Sequence, residues 1–151
     1  MRKFDELGLT LCKLQANVFA QSKTKIEGSI YLFIRKYMYS DVCEKIDKLT
    51  FIHESIDIFS NISVVGKNKN KISEDILYWV GYIYRYWAYT YELSSKQIYK
   101  IVPGKEMVSL YAPYHTMDPS LAIERIYEYK QIEKPLSPIE ILRNNYRKYR
   151  K

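Results

Sequence analysis

Residues 73–91, with the sequence SEDILYWVGYIYRYWAYTY, constrain the fold more than any other stretch of the chain. They contain both tryptophans and six of the sixteen tyrosines. Ser73 is a good helix N-cap, and Glu74 and Asp75 suit the positive end of a helix dipole. The apolar residues cover more than one helical face, which is typical of a helix buried on most sides. We therefore predict one long central helix with the rest of the chain packed around it.

Most of the remaining chain also shows helical spacing or helix-start signals. Phe4, Leu7, Leu11, Leu14 and Val18 recur at intervals of three and four, the helical period. Ser40 and Asp118-Pro119 mark further helix starts, and Ser94 with Gln97 forms a capping box. The predicted helices cover about 4–20, 30–40, 41–51, 54–62, 73–91, 95–102, 105–110 and a stretch after 118, with 64–72 and 112–116 irregular. The fold class is therefore all-α, a single compact helical domain.

Length and composition narrow the class of protein. With 151 residues, 47% of them hydrophobic, the chain is long enough to bury a core as one domain. It lacks an apolar run of about twenty residues, and its N-terminus lacks the apolar centre of a signal peptide. Cys12 and Cys43 have no CxxC spacing and are expected to be reduced core thiols. We expect a cytoplasmic protein with no membrane partner.

The basic charge is concentrated at the C-terminus. Residues 134–151 hold six Lys and Arg residues against Glu140 alone, hence +5, which leaves +2 of the net +7 for the other 133 residues. Ser137, Pro138 and Glu140 are helix-start signals. One side of this helix carries Ile139, Leu142, Tyr146 and Tyr149, and another carries Arg143, Arg147, Arg150 and Lys151. We divide the chain into a helical domain, 1–133, and a basic amphipathic tail, 134–151.

The tail has four candidate roles: packing on its own domain, binding a partner protein as a helix, binding nucleic acid, or lying on a membrane. Its apolar side is too short and too rich in tyrosine for strong membrane insertion. Docking on a partner or on its own domain is the favoured interpretation.

Residues with catalytic or metal-binding chemistry are scarce. His53 and His115 are the only histidines and stand in separate elements. No HExxH, GxSxG, P-loop or GxGxxG motif is present. We expect no enzyme, and no catalytic residue, metal or cofactor.

The tyrosines of the central helix have three interpretations. They are either core aromatics whose hydroxyls reach the surface, a stacking platform for bases, or a protein-binding patch. Spacing favours the core for most of them and leaves Tyr82, Arg85, Tyr86 and Tyr89 as a candidate binding strip. His115, in the turn before Asp118, is either structural or a partner contact.

A DNA-binding alternative uses the central helix and the next one as a helix-turn-helix. Lys96, Gln97 and Lys100 then face a groove, with Arg147, Lys148 and Lys151 of the tail on phosphates. The second helix is short and its turn lacks glycine, which weakens this alternative.

The segments YIYRYWAYTYELSSKQIYKI and YHTMDPSLAIERI carry a resemblance over about residues 74–127. An aromatic helix, a Ser-Ser-Lys start, a short helix and a His-Thr turn resemble small bacterial antitoxin-like proteins encoded beside toxin genes, often of the ADP-ribosyltransferase-like kind. The residues that carry the resemblance are Tyr82, Tyr86, Ser95, Ile98, Tyr99, His115, Thr116 and Ile123.

The resemblance implies a helical protein without chemistry of its own that neutralises a cognate toxin by direct binding. Combined with the surfaces above, it predicts partner contacts at Tyr82, Arg85, Tyr86, Tyr89, His115, Arg143, Tyr146, Arg147, Tyr149 and Arg150. The alternative function is a DNA-binding regulator, which includes repression of its own operon. The sequence leaves homo-oligomer formation open.

Overall fold

The computed structural model describes residues 1–50, 58–62, 64, 71–135 and 138–149, and these form helices and no strand. The all-α class is therefore confirmed. In chain order the helices are α1 (Glu6–Lys25), α2 (Ile30–Met38), α3 (Asp41–Asp47), α4 (Ile58–Asn61), α5 (Glu74–Tyr91), α6 (Ser95–Ile101), α7 (Gly104–Ser109), α8 (Tyr111–Tyr114), α9 (Pro119–Lys130) and α10 (Pro138–Tyr149). Within the described ranges, no helix is both long and apolar enough to cross a membrane.

Side-chain caps set the helix starts. Ser40, Ser73 and Ser94 each accept a hydrogen bond from the backbone N–H three residues further on, at the starts of α3, α5 and α6. Gln97 completes the capping box, since its Oε1 accepts from the Ser94 N–H at 2.9 Å. Asp118 caps α9 with proline at the first position. These local signals act within one turn of chain, so the predicted starts are confirmed.

The antiparallel pair α1 and α5 forms the centre of the fold. Gly8 near the start of α1 meets the Tyr89 ring, and Gly81 of α5 meets the second half of α1. A Cβ on Gly81 would stand 2.8 Å from the Gln15 carbonyl oxygen and 2.9 Å from the Phe19 ring. Gly81 therefore permits a close helix contact that a side chain would block.

Aromatic residues of α5 connect it to the other helices. The Trp87 Nε1–H donates to the Tyr127 hydroxyl of α9 at 2.9 Å, and the Tyr84 hydroxyl donates to the Val102 carbonyl at 2.6 Å. Tyr84 also packs edge-on against Phe19 of α1, with ring centroids 6.5 Å apart. Most of α5 is thus core, and each of these buried polar tips has a partner.

Two helix ends differ from the predicted ones. The first helix continues to Lys25, beyond Ala20. The third ends at Asp47, before Phe51, because Leu49 turns to φ 55 and the Thr50 N–H closes back on the Lys45 carbonyl at 3.0 Å. The left-handed residue at a helix end is usually glycine, but here the backbone hydrogen bond from Thr50 holds the end with leucine in that position.

A second group of differences lies in the C-terminal half. The segment 112–116, predicted to be irregular, contains most of α8. The ninth helix ends at Lys130, where Gln131 takes φ 54, and not at Pro135. Of the predicted helix 54–62, residues 54–57 lie outside the described part of the chain and α4 occupies the end. Most of the predicted loop 64–72, and Ser137, also lie outside it.

Candidate functional site

The predicted binding strip on α5 occupies one helix face, but α1 covers much of that face. Arg85 is only 1% exposed and Tyr89 only 4%, while Tyr82 and Tyr86 are partly buried. The prediction that Arg85 and Tyr89 lie on the surface is therefore wrong. The physical reason is that Gly81 lets α1 pack closely on this side of α5.

Arg85 lies at the centre of a buried polar network. Its Nη1 donates to Asp47 Oδ1 at 2.6 Å, and its Nε and Nη2 donate to Gln15 Oε1 at 3.0 and 2.8 Å. Nη2 also lies 3.2 Å from the Cys43 Sγ. The guanidinium of α5 thus binds side chains from α1 and α3, which satisfies a charge that would otherwise be costly to bury.

Asp47 extends the same network to α6. Its Oδ2 accepts from the Ser95 N–H at 2.8 Å, and its Oδ1 accepts from the Ser95 hydroxyl at 2.6 Å. On the other side, Gln15 accepts from the Tyr37 hydroxyl at 3.0 Å and donates to the Gly81 carbonyl at 2.9 Å. The network joins five helices, α1, α2, α3, α5 and α6, so its geometry is that of a structural cross-link.

Protonation states at this network suit a structural role. Burial alone lowers the pKa of Arg85, but Cys43, Tyr37 and Asp47 beside it reverse that effect and raise the pKa. Burial raises the pKa of the Cys12 thiol to about 12 and also raises the pKa of Cys43. Both cysteines are buried and outside any disulfide, as predicted. At neutral pH the arginine is charged and both thiols are protonated, so neither sulfur is an activated nucleophile.

The N-terminal residues cover the remaining edge of the predicted strip. The Tyr89 hydroxyl donates to Asp5 Oδ1 at 2.6 Å, which holds the pKa of Asp5 below its usual value. The Arg2 guanidinium lies 4.6 Å from the centroid of the Tyr89 ring, and Phe4 packs on Tyr86 at 4.5 Å. Of the predicted strip, only Tyr82 and Tyr86 present any surface to a partner.

His115 is exposed at the end of α8. Its ring stacks on Tyr111 with centroids 4.1 Å apart, and its Nδ1 lies 2.7 Å from the Tyr111 carbonyl oxygen. These contacts fit the structural interpretation, in which the imidazole holds the last turn of α8. The outer edge of the ring is open to solvent, so the partner contact predicted for His115 stays a prediction.

The start of α6 faces a groove of about 430 Å³ with mixed charge. Lys96 lies on its wall together with Glu44 and Glu92, whose carboxylates bind Lys48 and Arg2 at 2.9 and 3.3 Å. Carboxylates beside Lys96 repel a phosphate backbone, so this surface is not the basic face that DNA binding needs.

The helix that contains Lys96 offers little else for reading bases. Gln97 is used in the capping box, and Lys100 is exposed. The seven residues of α6 make fewer than two full turns of recognition helix. The geometry here disfavours the helix-turn-helix alternative.

The basic tail forms the predicted helix, and between Ile139 and Lys148 every side chain except that of Glu140 is exposed. Leu142 is 68% exposed, Tyr146 is 65% and Ile139 is 63%. Arg143, Arg147 and Lys148 are exposed on the same helix. Tyr149 is its last residue, and Arg150 and Lys151 lie outside the described part of the chain. Ile139, Leu142 and Tyr146 on the apolar side of α10 are therefore not buried in the helical domain, while the division at 133/134 stays a prediction.

The sequence reasoning did not single out Gln15 or Asp47. The sequence offers one signal for Gln15: it is a polar residue on the apolar side of the first helix, with Leu11, Cys12 and Phe19 as its neighbours on that side. A polar side chain on a buried face needs a buried partner, and a basic residue in the equally apolar α5 is such a partner. Asp47 gave no comparable signal.

Comparisons with known proteins give no family for this chain. A scan against models of protein families finds no match, and neither do searches of curated proteins and of solved structures. Among the described residues, no group of three or more His, Cys, Asp or Glu side chains is arranged to hold a metal ion. The function is therefore argued from the surfaces themselves.

Proposed function

We propose that this protein is a non-enzymatic interaction protein of the antitoxin type, which neutralises a cognate bacterial toxin in the cytoplasm by direct binding. The observation that carries the proposal is α10, which presents an apolar side to solvent next to exposed arginines. Isolated apolar residues on a surface are ordinary, but a stripe along one helix face, flanked by Arg and Tyr, is typical of protein interfaces.

The resemblance to antitoxin-like proteins supplies the class of partner. Ser95, Ile98 and Ile123, three of the residues that carry it, are buried. They support a shared fold more than a shared binding surface. Tyr82, Tyr86 and His115 are left as contacts on the helical domain that supplement α10.

Co-expression with the product of the adjacent reading frame tests the proposal. The expected result is a joint peak in size-exclusion chromatography and restored growth of cells that express the neighbouring protein. Expression of the neighbouring protein alone is the control, and it should arrest growth. Two separate peaks together with unrelieved growth arrest refute the function.

A DNA-binding regulator is the alternative function, with the exposed Arg147 and Lys148 of α10 as its main cations, since Glu44 and Glu92 beside Lys96 disfavour a phosphate contact at α6. Fluorescence anisotropy against the upstream DNA of its own gene, over a salt series, distinguishes the two functions. Several phosphate contacts require affinity to fall steeply as salt rises. A flat signal at every salt concentration excludes the regulator.

A further inference from the structure

The geometry of α10 points to the kind of site that receives it. We propose that α10 binds as an intact helix in an apolar groove whose rim is acidic, on the surface of the partner protein. This inference rests on the proposed function, because it requires that a partner exists. It adds the chemistry of the partner's site and the residues of α10 that enter it.

The apolar residues of α10 have the spacing of a helix that lies in a groove. Ile139, Leu142 and Tyr146 stand at positions i, i+3 and i+7, the pattern by which amphipathic helices anchor in apolar grooves. All three are more than 60% exposed. Tyr146 lies seven residues after Ile139, so at ~1.5 Å per residue the groove must span about 10 Å, or two helical turns.

The helical domain of the same chain does not cover the apolar face of α10. Lys134, four residues before α10, pairs with Glu124 of α9 at 3.4 Å, so the chain that leads into α10 contacts the domain. Yet Leu142, in the second turn of α10, is 68% exposed. The chain is therefore held to the domain just before α10, while Ile139, Leu142 and Tyr146 stay more than 60% exposed.

Charge distinguishes between the other surfaces that could cover the apolar face of α10. Residues 134–151 carry six basic residues against Glu140. Two copies of the tail would bring +5 against +5, which opposes self-association through this face. Arg143 and Arg147, one turn apart and adjacent to the apolar stripe, match carboxylates on a groove rim, where guanidinium pairs can be bidentate. An acidic protein groove is thus the complementary surface.

A membrane is the remaining surface that could cover this face of α10, and the helix is less suited to it. Strong interfacial binding grows with the apolar area that enters the lipid. The described stripe consists of only Ile139, Leu142 and Tyr146. Arg and Tyr beside a short apolar stripe are instead the residues that dominate protein hot spots.

The test uses the full-length protein and the product of the adjacent reading frame, with affinity measured by isothermal titration calorimetry. Leu142→Glu places a charge in the stripe, and Ile141→Glu is the matched control, since Ile141 lies about 100° around the helix and is 46% exposed. Glutamate is a good helix former, so both variants should keep the fold and melting temperature. We expect at least ~30-fold weaker binding for Leu142→Glu, the level of a hot-spot residue, and less than ~3-fold for Ile141→Glu.

The acidic rim is tested separately through salt dependence. Arg143→Gln with Arg147→Gln removes two charges from α10, and Lys13→Gln with Lys105→Gln removes two exposed charges from the domain. The first pair should weaken binding and flatten its dependence on salt, because rim charges act mainly through steering and screening. The second pair should leave both unchanged.

Each outcome bears on a stated claim. If the wild-type protein does not bind the neighbouring product, the proposed function and this inference both fail. If it binds and Leu142→Glu binds as well as Ile141→Glu, only this inference fails. If binding depends on Leu142 but the paired arginine substitutions act no differently from the paired lysine substitutions, the acidic rim is refuted. Vesicles of phosphatidylcholine and phosphatidylglycerol are a further arm: binding to them that Leu142→Glu abolishes, with partner affinity unchanged, assigns α10 to a membrane and overturns the proposal.

Discussion

Replacing Asp47 with alanine tests whether the buried network holds the helices together. The change leaves the Arg85 guanidinium, 1% exposed, without its counter-ion and removes the acceptor of the Ser95 N–H and hydroxyl. Breaking a buried ion pair by removing one partner lowers the free energy of unfolding by about 3–5 kcal/mol, because an uncompensated charge stays buried. For a domain of this size, that loss corresponds to a melting temperature lower by roughly 10 °C.

The control is another ion pair that starts from the same short helix. Glu44 binds Lys48 at 2.9 Å, but both side chains are largely exposed. Glu44→Ala should therefore change the urea midpoint very little, since solvent screens such a pair. A second comparison is Asp47→Ala combined with Arg85→Met, which removes the charge and should be less destabilised than Asp47→Ala alone. If Asp47→Ala has the same urea midpoint as Glu44→Ala, the reasoning about the network is refuted.

Three further substitutions or titrations test the fold. Gly81→Ala should destabilise the protein by about 1–3 kcal/mol despite its gain in helix propensity, because the added Cβ would stand 2.8 Å from the Gln15 carbonyl oxygen; an unchanged or higher melting temperature contradicts the close contact. Ser94→Ala removes the cap of α6 and should lower the free energy of unfolding by about 1 kcal/mol, measured in urea, whereas no loss would show that the capping box contributes nothing. Burial raises the pKa of Tyr82 to about 12 and that of Tyr84 well above its usual value. These folded-state pKa values exceed the unfolded value near 10. The stability that the two neutral phenols contribute is therefore complete below about pH 10 and is lost as pH rises toward 12. Phenolate absorbance should show some tyrosines that ionise only when the protein unfolds, and ionisation of all tyrosines near pH 10 in the folded protein contradicts this.

The helix starts were predictable because each depends on a few neighbouring residues. Ser73 and Ser94 bond to backbone groups within one turn of themselves. Pro119 after Asp118 acts just as locally. The helix ends were less predictable. Leu49 after α3 and Gln131 after α9 take φ near 55 without being glycine, so the usual sequence signal for such an end is missing.

The candidate binding strip shows what helical spacing could not predict. Helical spacing correctly grouped Tyr82, Arg85, Tyr86 and Tyr89 on one face of α5. It could not say whether that face meets solvent or another helix, because Arg and Tyr serve both at interfaces and in satisfied cores. Arg85 is buried because Gln15, seventy residues away in sequence, lies opposite it on α1 and accepts its hydrogen bonds.

By itself the sequence determined an all-α chain, its central aromatic helix and a basic amphipathic helix at the C-terminus, since periodicity and caps are properties of short segments. Only the tertiary structure decided that Arg85 is a buried cross-link and that α10 keeps its apolar side in solvent. The physical reason is that burial depends on which faces meet. That choice is made by close contacts such as Gly81 with Gln15, between residues far apart in the chain.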